Sequence, residues 1–165
     1  MTKVFLLDAL KAFTEEQVAD ILMPVRAQKE DGGEKPPDRA AEVYKMRLTK
    51  SSAAQKAAPY IIHQIITGND IKTQGTRQQG RTVVRSIFCV YNEDEQEGSI
   101  MLLNLMERLR IALLKQVVIG KQFQLDIETG LETLIYPDDT GSYCAGEMMT
   151  TWHLPSVERE VLYGQ

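Results

Sequence analysis

The chain is poor in cysteine. Its two cysteines, Cys89 and Cys144, lie far apart, and neither has a cysteine or histidine at metal-ligand spacing. This pattern argues against a disulfide-rich scaffold and against a cysteine-based zinc site. We therefore expect two free thiols, with Cys89 packed in the core between Phe88 and Val90.

Long apolar runs and an excess of basic residues are also missing. The apolar N-terminal segment MTKVFLLDALKAF meets Asp8 and Lys11 too early for a signal peptide or a membrane span. The net charge of -4 lacks the basic excess of a general nucleic-acid binder, although a small local basic patch is compatible with it. We expect a protein made in the cytosol that does not enter membranes.

The composition of the chain is typical of a globular protein. It has 165 residues, of which 43% are hydrophobic and 25% are charged. This length suits one domain with a proper core, so we expect a single domain over residues 1–165.

The segment from Asn92 to Gly120 predicts the long helix around which the rest is organised, at about residues 99–117. Acidic residues precede Gly98, Ser99 can cap the helix, and Gly120 lies just past its end. One broad apolar face consists of Leu102, Leu105, Met106, Leu109, Ala112 and Leu113. A second apolar strip consists of Ile100, Leu103, Ile111 and Leu114, and Glu107 and Arg110 interrupt it. A helix with two such faces is covered on more than one side.

The remaining pattern predicts an α+β fold. Residues 4–22 have helical spacing, with a break near Phe13 that favours two short helices. Alternating or β-branched runs predict strands at 43–48, 60–67, 81–91, 123–136 and 147–154, with a bend or bulge at Thr129-Gly130 in the fourth and with 81–91 as the central strand. We expect a mostly antiparallel or mixed sheet of about five strands, packed by the long helix and the N-terminal helical segment.

Two polar segments, at about 25–42 and 68–80, predict flexible loops that carry partner contacts. They contain Gly-Gly, Pro-Pro and several charged residues, and we take Lys35, Arg39, Lys72 and Arg77 as candidate contact residues. The end of the chain after Pro155 is predicted to be a short tail.

No catalytic arrangement stands out among the titratable residues. The acidic run of Glu93, Asp94, Glu95 and Glu97 lacks the spacing of a calcium loop and favours a helix start instead. His63 and His153 lie in predicted strands without ligand partners, and the glycine-bearing loops lack the context of a phosphate loop. The sequence predicts no enzyme, no metal and no cofactor, and its function should lie in its surfaces.

Three strings in the sequence carry a resemblance to a known family. The run VYNEDEQEGSIMLLNLMERLRIALL, the later LETLIYPDDTGSYCAGEMMTTWHLPSVERE, and VYKMRL ahead of APYII resemble tail terminator or tail completion proteins of long-tailed phages and of prophages in Gram-positive bacteria. The similarity spans roughly residues 4–161 and is most specific at 90–160.

This resemblance implies a subunit of a ring, hexameric in the best-known relatives, in the tail of the virion. The ring would cap the tail tube, stop its polymerisation and offer a surface to the connector or neck protein, while DNA passes through without sequence-specific binding. Assembly would take place in the cytoplasm of the bacterial host. The family has no catalytic residues to carry over.

The interface residues are inferred from this sequence alone. They are the second strip of the long helix, with Glu107 and Arg110 as an inter-subunit ion pair, and the charged residues of the two loops. Two other functions are left open by the sequence: another head-tail joining protein, and a small-ligand or regulatory binding module.

Overall fold

A computed structural model describes residues 2–28, 32–49, 57–137 and 141–158. The fold is α+β, with two helices and a mixed sheet, as the sequence predicts. In chain order the elements are α1 (Lys3–Val18), β1 (Glu42–Lys45), β2 (Tyr60–Ile71), β3 (Gln79–Tyr91), α2 (Glu95–Gln116), β4 (Val118–Ile119), β5 (Phe123–Leu125), β6 (Leu131–Ile135) and β7 (Tyr143–Leu154).

The sheet has the strand order β1-β2-β3-β7-β5-β4, and β6 pairs with β7 beside β5. Among the described strands only β1 and β2 pair in parallel. β3 lies between β2 and β7 from Gly80 to Cys89, which confirms its predicted central position. The β-branched and aromatic residues of β3 suit such a strand, because both of its edges and one of its faces are covered.

Both helices pack on one face of the sheet. α1 lies over β1 and β2, and α2 lies over β3 and β7. The largest buried side chains between these layers include Trp152, Phe88 and Phe123. The broad face of α2 is buried as predicted at Leu102, Leu105, Met106, Leu109 and Leu113, whereas Ala112 is only partly buried.

The opposite face of the sheet carries a smaller apolar cluster near one end. Its buried members are Ala58, Tyr60, Ile62, Cys89 and Tyr143. Farther along this face the side chains are polar: Gln64 accepts hydrogen bonds from Arg85, which lies 3.9 Å from Glu147. Neither described helix covers this face.

Two predicted helix boundaries are wrong. The N-terminal segment forms one helix, Lys3–Val18, without a break at Phe13, because Leu10 and Thr14 continue its buried face across that point. The long helix begins at Glu95 and not at Ser99, since the Asp94 carboxylate caps it by accepting from the N–H groups of Gln96 and Glu97. Its predicted end near 117 is correct to within one residue.

The segment 68–80 is not a long loop. Its first four residues continue β2 and its last two begin β3, so that only residues 72–78 turn. The strand predicted at 43–48 ends at Lys45, and Met46 has a φ of 66°. The sheet also gains β4, two residues long, which the sequence analysis missed. The described part of the segment 25–42 is largely irregular, whereas most of the turn at 138–141 and the chain after 158 lie outside the described residues.

Candidate functional site

The most distinctive surface of the described structure is the second apolar strip of α2. Its four members lie on the side of the helix turned away from the buried face, and their exposed fractions are 46% for Ile100, 46% for Leu103, 42% for Ile111 and 37% for Leu114. Single exposed apolar residues are common, whereas four at helical spacing on one face form a contiguous apolar patch, which is a candidate contact surface. We call these four residues the α2 strip.

An ion pair lies in the middle of the α2 strip. Arg110 donates two hydrogen bonds to the Glu107 carboxylate, at 2.8 and 2.7 Å, within the same helix. Bonding to Arg110 lowers the pKa of Glu107, and bonding to Glu107 raises the pKa of Arg110. In the isolated subunit each charge therefore already has a partner, and an inter-subunit role for this pair stays a prediction.

The predicted contact residues of the second polar segment lie at the tip of the β2–β3 hairpin. Lys72 and Arg77 are both exposed and form no ion pair within the described residues. They border a surface depression whose other wall includes Pro155, Ser156 and Val157. The Asp70 carboxylate, which accepts a hydrogen bond from Gln78, and Glu158 line the same depression, so both signs of charge are present there.

The two predicted residues of the first polar segment differ in their roles. Arg39 is part-buried and donates hydrogen bonds to the carbonyl oxygens of Ala57 and Pro59, at 2.7 and 3.0 Å. It ties the incoming chain to the start of β2, which is a structural role. Lys35 is exposed and borders a cleft with Tyr91 and Glu93, far along the chain from the hairpin tip.

The described structure also contains a buried polar trio that the sequence analysis missed. The Nε2 atom of His63 lies 2.9 Å from the Thr14 hydroxyl, and its Nδ1 atom lies 2.7 Å from the Ser86 hydroxyl. Burial lowers the pKa of His63 to about 4, so the ring is neutral at ordinary pH. The spacing resembles that of a nucleophile and its base, but all three residues are buried between α1 and the sheet, out of reach of a substrate.

A second polar cluster surrounds the buried carboxylate of Asp126. Arg81 and the Thr129 hydroxyl both donate to it, and His153 Nε2 lies 3.5 Å away. The Thr129 N–H also donates to this carboxylate, at 3.1 Å. These contacts close the turn between β5 and β6 and hold it against β3 and β7. Because Asp126 is surrounded by donors from its own fold, the cluster explains the turn and needs no ligand.

The remaining observations concern the cysteines, possible metal ligands and the character of the helices. Cys89 and Cys144 are free, and burial raises the pKa of the Cys89 thiol to about 11, which makes it unreactive. No group of three or more potential ligands in the described part of the chain could hold a metal ion. None of the helices that the structure describes is both long and apolar enough to cross a membrane.

No protein-family model matches the chain, and no curated protein matches it either.

The α2 strip is thus the feature that both the sequence and the structure single out. The sequence analysis found it because its period is helical and because the stronger face had to be the buried one. The buried trio was missed because Thr14, His63 and Ser86 are widely separated and no local motif links them.

Proposed function

We propose that this protein is a structural assembly subunit that works through its surfaces. The observation that supports this best is the α2 strip, four large apolar residues exposed on a helix whose opposite face is in the core. Leaving such a strip in water is unfavourable, by about 25 cal/mol for each Å² of apolar surface, and association removes that cost. The chain is therefore expected to be only one part of a larger body.

The particular assembly proposed is the cap of a phage or prophage tail. Copies of the chain form a ring, six in the resembled family, that closes the end of the tail tube and stops its polymerisation. The ring then presents a surface to the connector or neck protein, and DNA passes through it. The location is the virion tail, and the partners are other copies, the tube protein and the neck protein.

The hairpin tip is the proposed contact with a partner of different chemistry. Lys72 and Arg77 are exposed and unpaired within the described residues, so they suit an acidic surface on the tube protein or the neck protein. The α2 strip, in contrast, is apolar and suits a contact that stays closed. Two surfaces of different character are what a subunit needs if it binds both its own kind and a partner.

Electron microscopy of tails made without this protein tests the proposal. A missing terminator is expected to leave tubes of uncontrolled, excessive length. Tails of normal length that are detached from heads would instead favour a head-tail joining role. Normal virions would contradict both assignments.

A small-ligand or regulatory module is the remaining candidate, and one observation favours testing it. Lys72 and Arg77 line the depression beside the hairpin tip together with Asp70 and Glu158, and the two cations are the partners it offers to an anionic group of a ligand. Thermal unfolding with a panel of anionic metabolites measures this, because a ligand of the folded state raises the melting temperature. A rise that depends on Arg77 would move the protein into this class.

A further inference from the structure

Two open strand edges lie on opposite sides of the sheet, and the first is β6. β6 pairs only with β7 among the described strands. The N–H of Tyr136 donates to Ala145 O at 3.0 Å, so alternate residues before it, Leu134 and Glu132, also bond toward β7. The backbone groups of Leu131, Thr133 and Ile135 consequently point away from the sheet.

The second open edge is β1, at the other side. Its Glu42 N–H donates to Pro59 O and the following Met46 N–H donates to His63 O, at 3.2 and 2.8 Å. In a parallel pair the intervening residues face outward, so Val43 and Lys45 present their backbone groups to solvent. A groove lined by Lys11, Glu15, Tyr44 and Arg47 runs along this edge.

The two edges match in level and direction. Neighbouring strands pair residue by residue, so positions on β1 can be matched to positions at the same level on β6. Val43 lies level with Ile135, by way of Ile61, Phe88 and Gly146. Lys45 lies level with Thr133, by way of His63, Ser86 and Met148. β6 runs antiparallel to β1 across these steps. A second copy placed beside the first at the same level therefore presents its β6 antiparallel to β1, with the outward-facing residues opposite one another.

The side chains at this joint are complementary. In the matching register Tyr44 lies opposite Leu134, which is 52% exposed, and Val43 lies opposite Ile135, which is 43% exposed. Arg47 follows the end of β1 and lies diagonally across the joint from Glu132, and neither forms an ion pair within the described residues. Apolar cross-strand pairs stabilise antiparallel strands, and long charged side chains at diagonal positions are within reach of each other.

Other edges of the sheet are protected, which distinguishes these two. Past its contact with β1, the outer edge of β2 is interrupted by a bulge at Ile66, and the edge strand β4 has only two residues. Bulges and very short strands are known devices against edge-to-edge pairing. β6 has five residues without proline, lysine or bulge.

We propose that β6 of one copy pairs with β1 of the next, so that one sheet continues from subunit to subunit. This deepens the proposed ring and rests on it, because the contact joins two different surfaces and so repeats around a closed circle.

Disulfide trapping between two variants, each with one added cysteine, tests the joint. Tyr44 and Leu134 form a non-hydrogen-bonded pair in the proposed register, with Cα atoms about 4.5 Å apart, which suits a disulfide. Tyr44→Cys mixed with Leu134→Cys under mild oxidation is expected to give a mixed disulfide dimer. Within one chain these residues are four strand spacings apart, about 19 Å, so no internal bridge can form.

The matched control moves the second cysteine by one residue. Thr133→Cys points to the other face of the sheet, so its mixture with Tyr44→Cys is expected to cross-link several-fold less. The wild-type chain, with Cys89 and Cys144 alone, measures the background. Equal yields from the Leu134 and Thr133 mixtures, or a preference for dimers of one variant with itself, would overturn the proposal.

A proline at the edge gives an independent readout. Thr133→Pro removes an N–H that points to the neighbour and not one bonded to β7, so we expect an unchanged melting temperature and loss of the trapped Tyr44–Leu134 disulfide. Thr133→Ala keeps the N–H and should retain it. Persistence of the disulfide in a folded proline variant would contradict strand pairing.

The outcome separates the joint from the tail function. If the disulfide-trapped rings form but do not stop the growth of tail tubes in vitro, the strand pairing is supported and the terminator function is contradicted. If the Thr133→Pro variant still stops tube growth normally, the terminator function is supported and the strand pairing is contradicted.

Discussion

At the scale of single residues, the main lesson is how much of the polar chemistry serves the fold. His63, Asp126 and Arg39 are the titratable or charged groups with the most specific hydrogen bonds, and each of them ties separate elements of the chain together. None of these partnerships is visible in the sequence, because their members are brought together only by the sheet. The polar residues available to a partner are instead the exposed ones, such as Lys72 and Arg77.

The buried His63 predicts a pH dependence of stability. Its pKa in the folded protein is about 4, against an ordinary value of 6.5, so between these values the unfolded chain binds more protons than the folded one. The contribution of neutral His63 to the free energy of unfolding should therefore be fully present above pH 6.5. It should be lost as the pH falls toward 4, which lowers the free energy of unfolding by roughly 3 kcal/mol in all. Urea denaturation between pH 7.5 and 5, where most carboxylates stay ionised, measures the onset.

The control for this pH effect is His63→Gln, which keeps hydrogen-bonding groups near Thr14 and Ser86 but cannot titrate. Its stability should change much less between pH 7.5 and 5. An equal slope in both proteins would assign the effect to other groups.

Gly146 predicts a second effect at this scale. A Cβ atom there would lie 2.8 Å from the backbone oxygen of Leu134 and 2.9 Å from the sulfur of Met106. The methionine side chain can move, but the β6 backbone cannot without shifting the strand. Gly146→Ala should destabilise the protein by about 1–3 kcal/mol, as overpacked cores do. Gly130→Ala is the comparison, because it introduces strain at a positive φ without a packing clash. If Gly146→Ala lowered the free energy of unfolding by no more than about 0.5 kcal/mol, the crowding argument would be contradicted.

At the scale of elements, the sequence predicted which helices and strands exist better than it predicted the residues at which they begin and end. Periodicity predicted α2 and its two apolar faces, and β-branched composition predicted the central β3. The start of α2 was misplaced because Gly98 and Ser99 resemble a turn and a cap. In the structure Gly98 lies inside the first turns, where an added Cβ would be 3.3 Å from the Cys144 sulfur, so this glycine permits close packing of helix on strand.

The cap of α2 provides a test of the corrected boundary. Asp94→Ala removes the acceptor for two backbone N–H groups and should cost about 1 kcal/mol of stability. Ser99→Ala should cost less, because the Ser99 hydroxyl donates to Glu95 O within the helix and caps nothing. Thermal or chemical denaturation of the two variants decides between the starts, and the reverse ranking would restore the start at Ser99.

At the scale of the whole molecule, the sequence predicts a function carried by surfaces, but it does not predict how those surfaces are arranged. The α2 strip is visible in the periodicity, whereas the match between the β1 and β6 edges depends on a strand order that the sequence does not specify. Strand order follows from long-range pairing, and several orders satisfy the same alternation of apolar and polar residues. The identity of the assembly still rests on the resemblance.

A matched pair of substitutions separates folding from assembly at this scale. Leu103→Ala trims the exposed strip and should change stability by less than about 0.5 kcal/mol, while it weakens self-association. Leu102→Ala empties a fully buried position beside it and should cost about 2–5 kcal/mol. Denaturation and light scattering at high concentration measure both effects. A Leu103→Ala variant that associates like the wild type would remove the α2 strip from the interface.

The number of strands between the two open edges sets the size of any circle these subunits build. At the level of the joint each copy contributes β1, β2, β3, β7 and β6, five strands in all. With strands about 4.8 Å apart, every copy lengthens the perimeter by about 24 Å, and six copies give a perimeter of about 144 Å before strand tilt. The corresponding backbone diameter is about 46 Å and changes by about 8 Å for each subunit gained or lost. The width of the ring in a projection image is thus a direct count of its subunits.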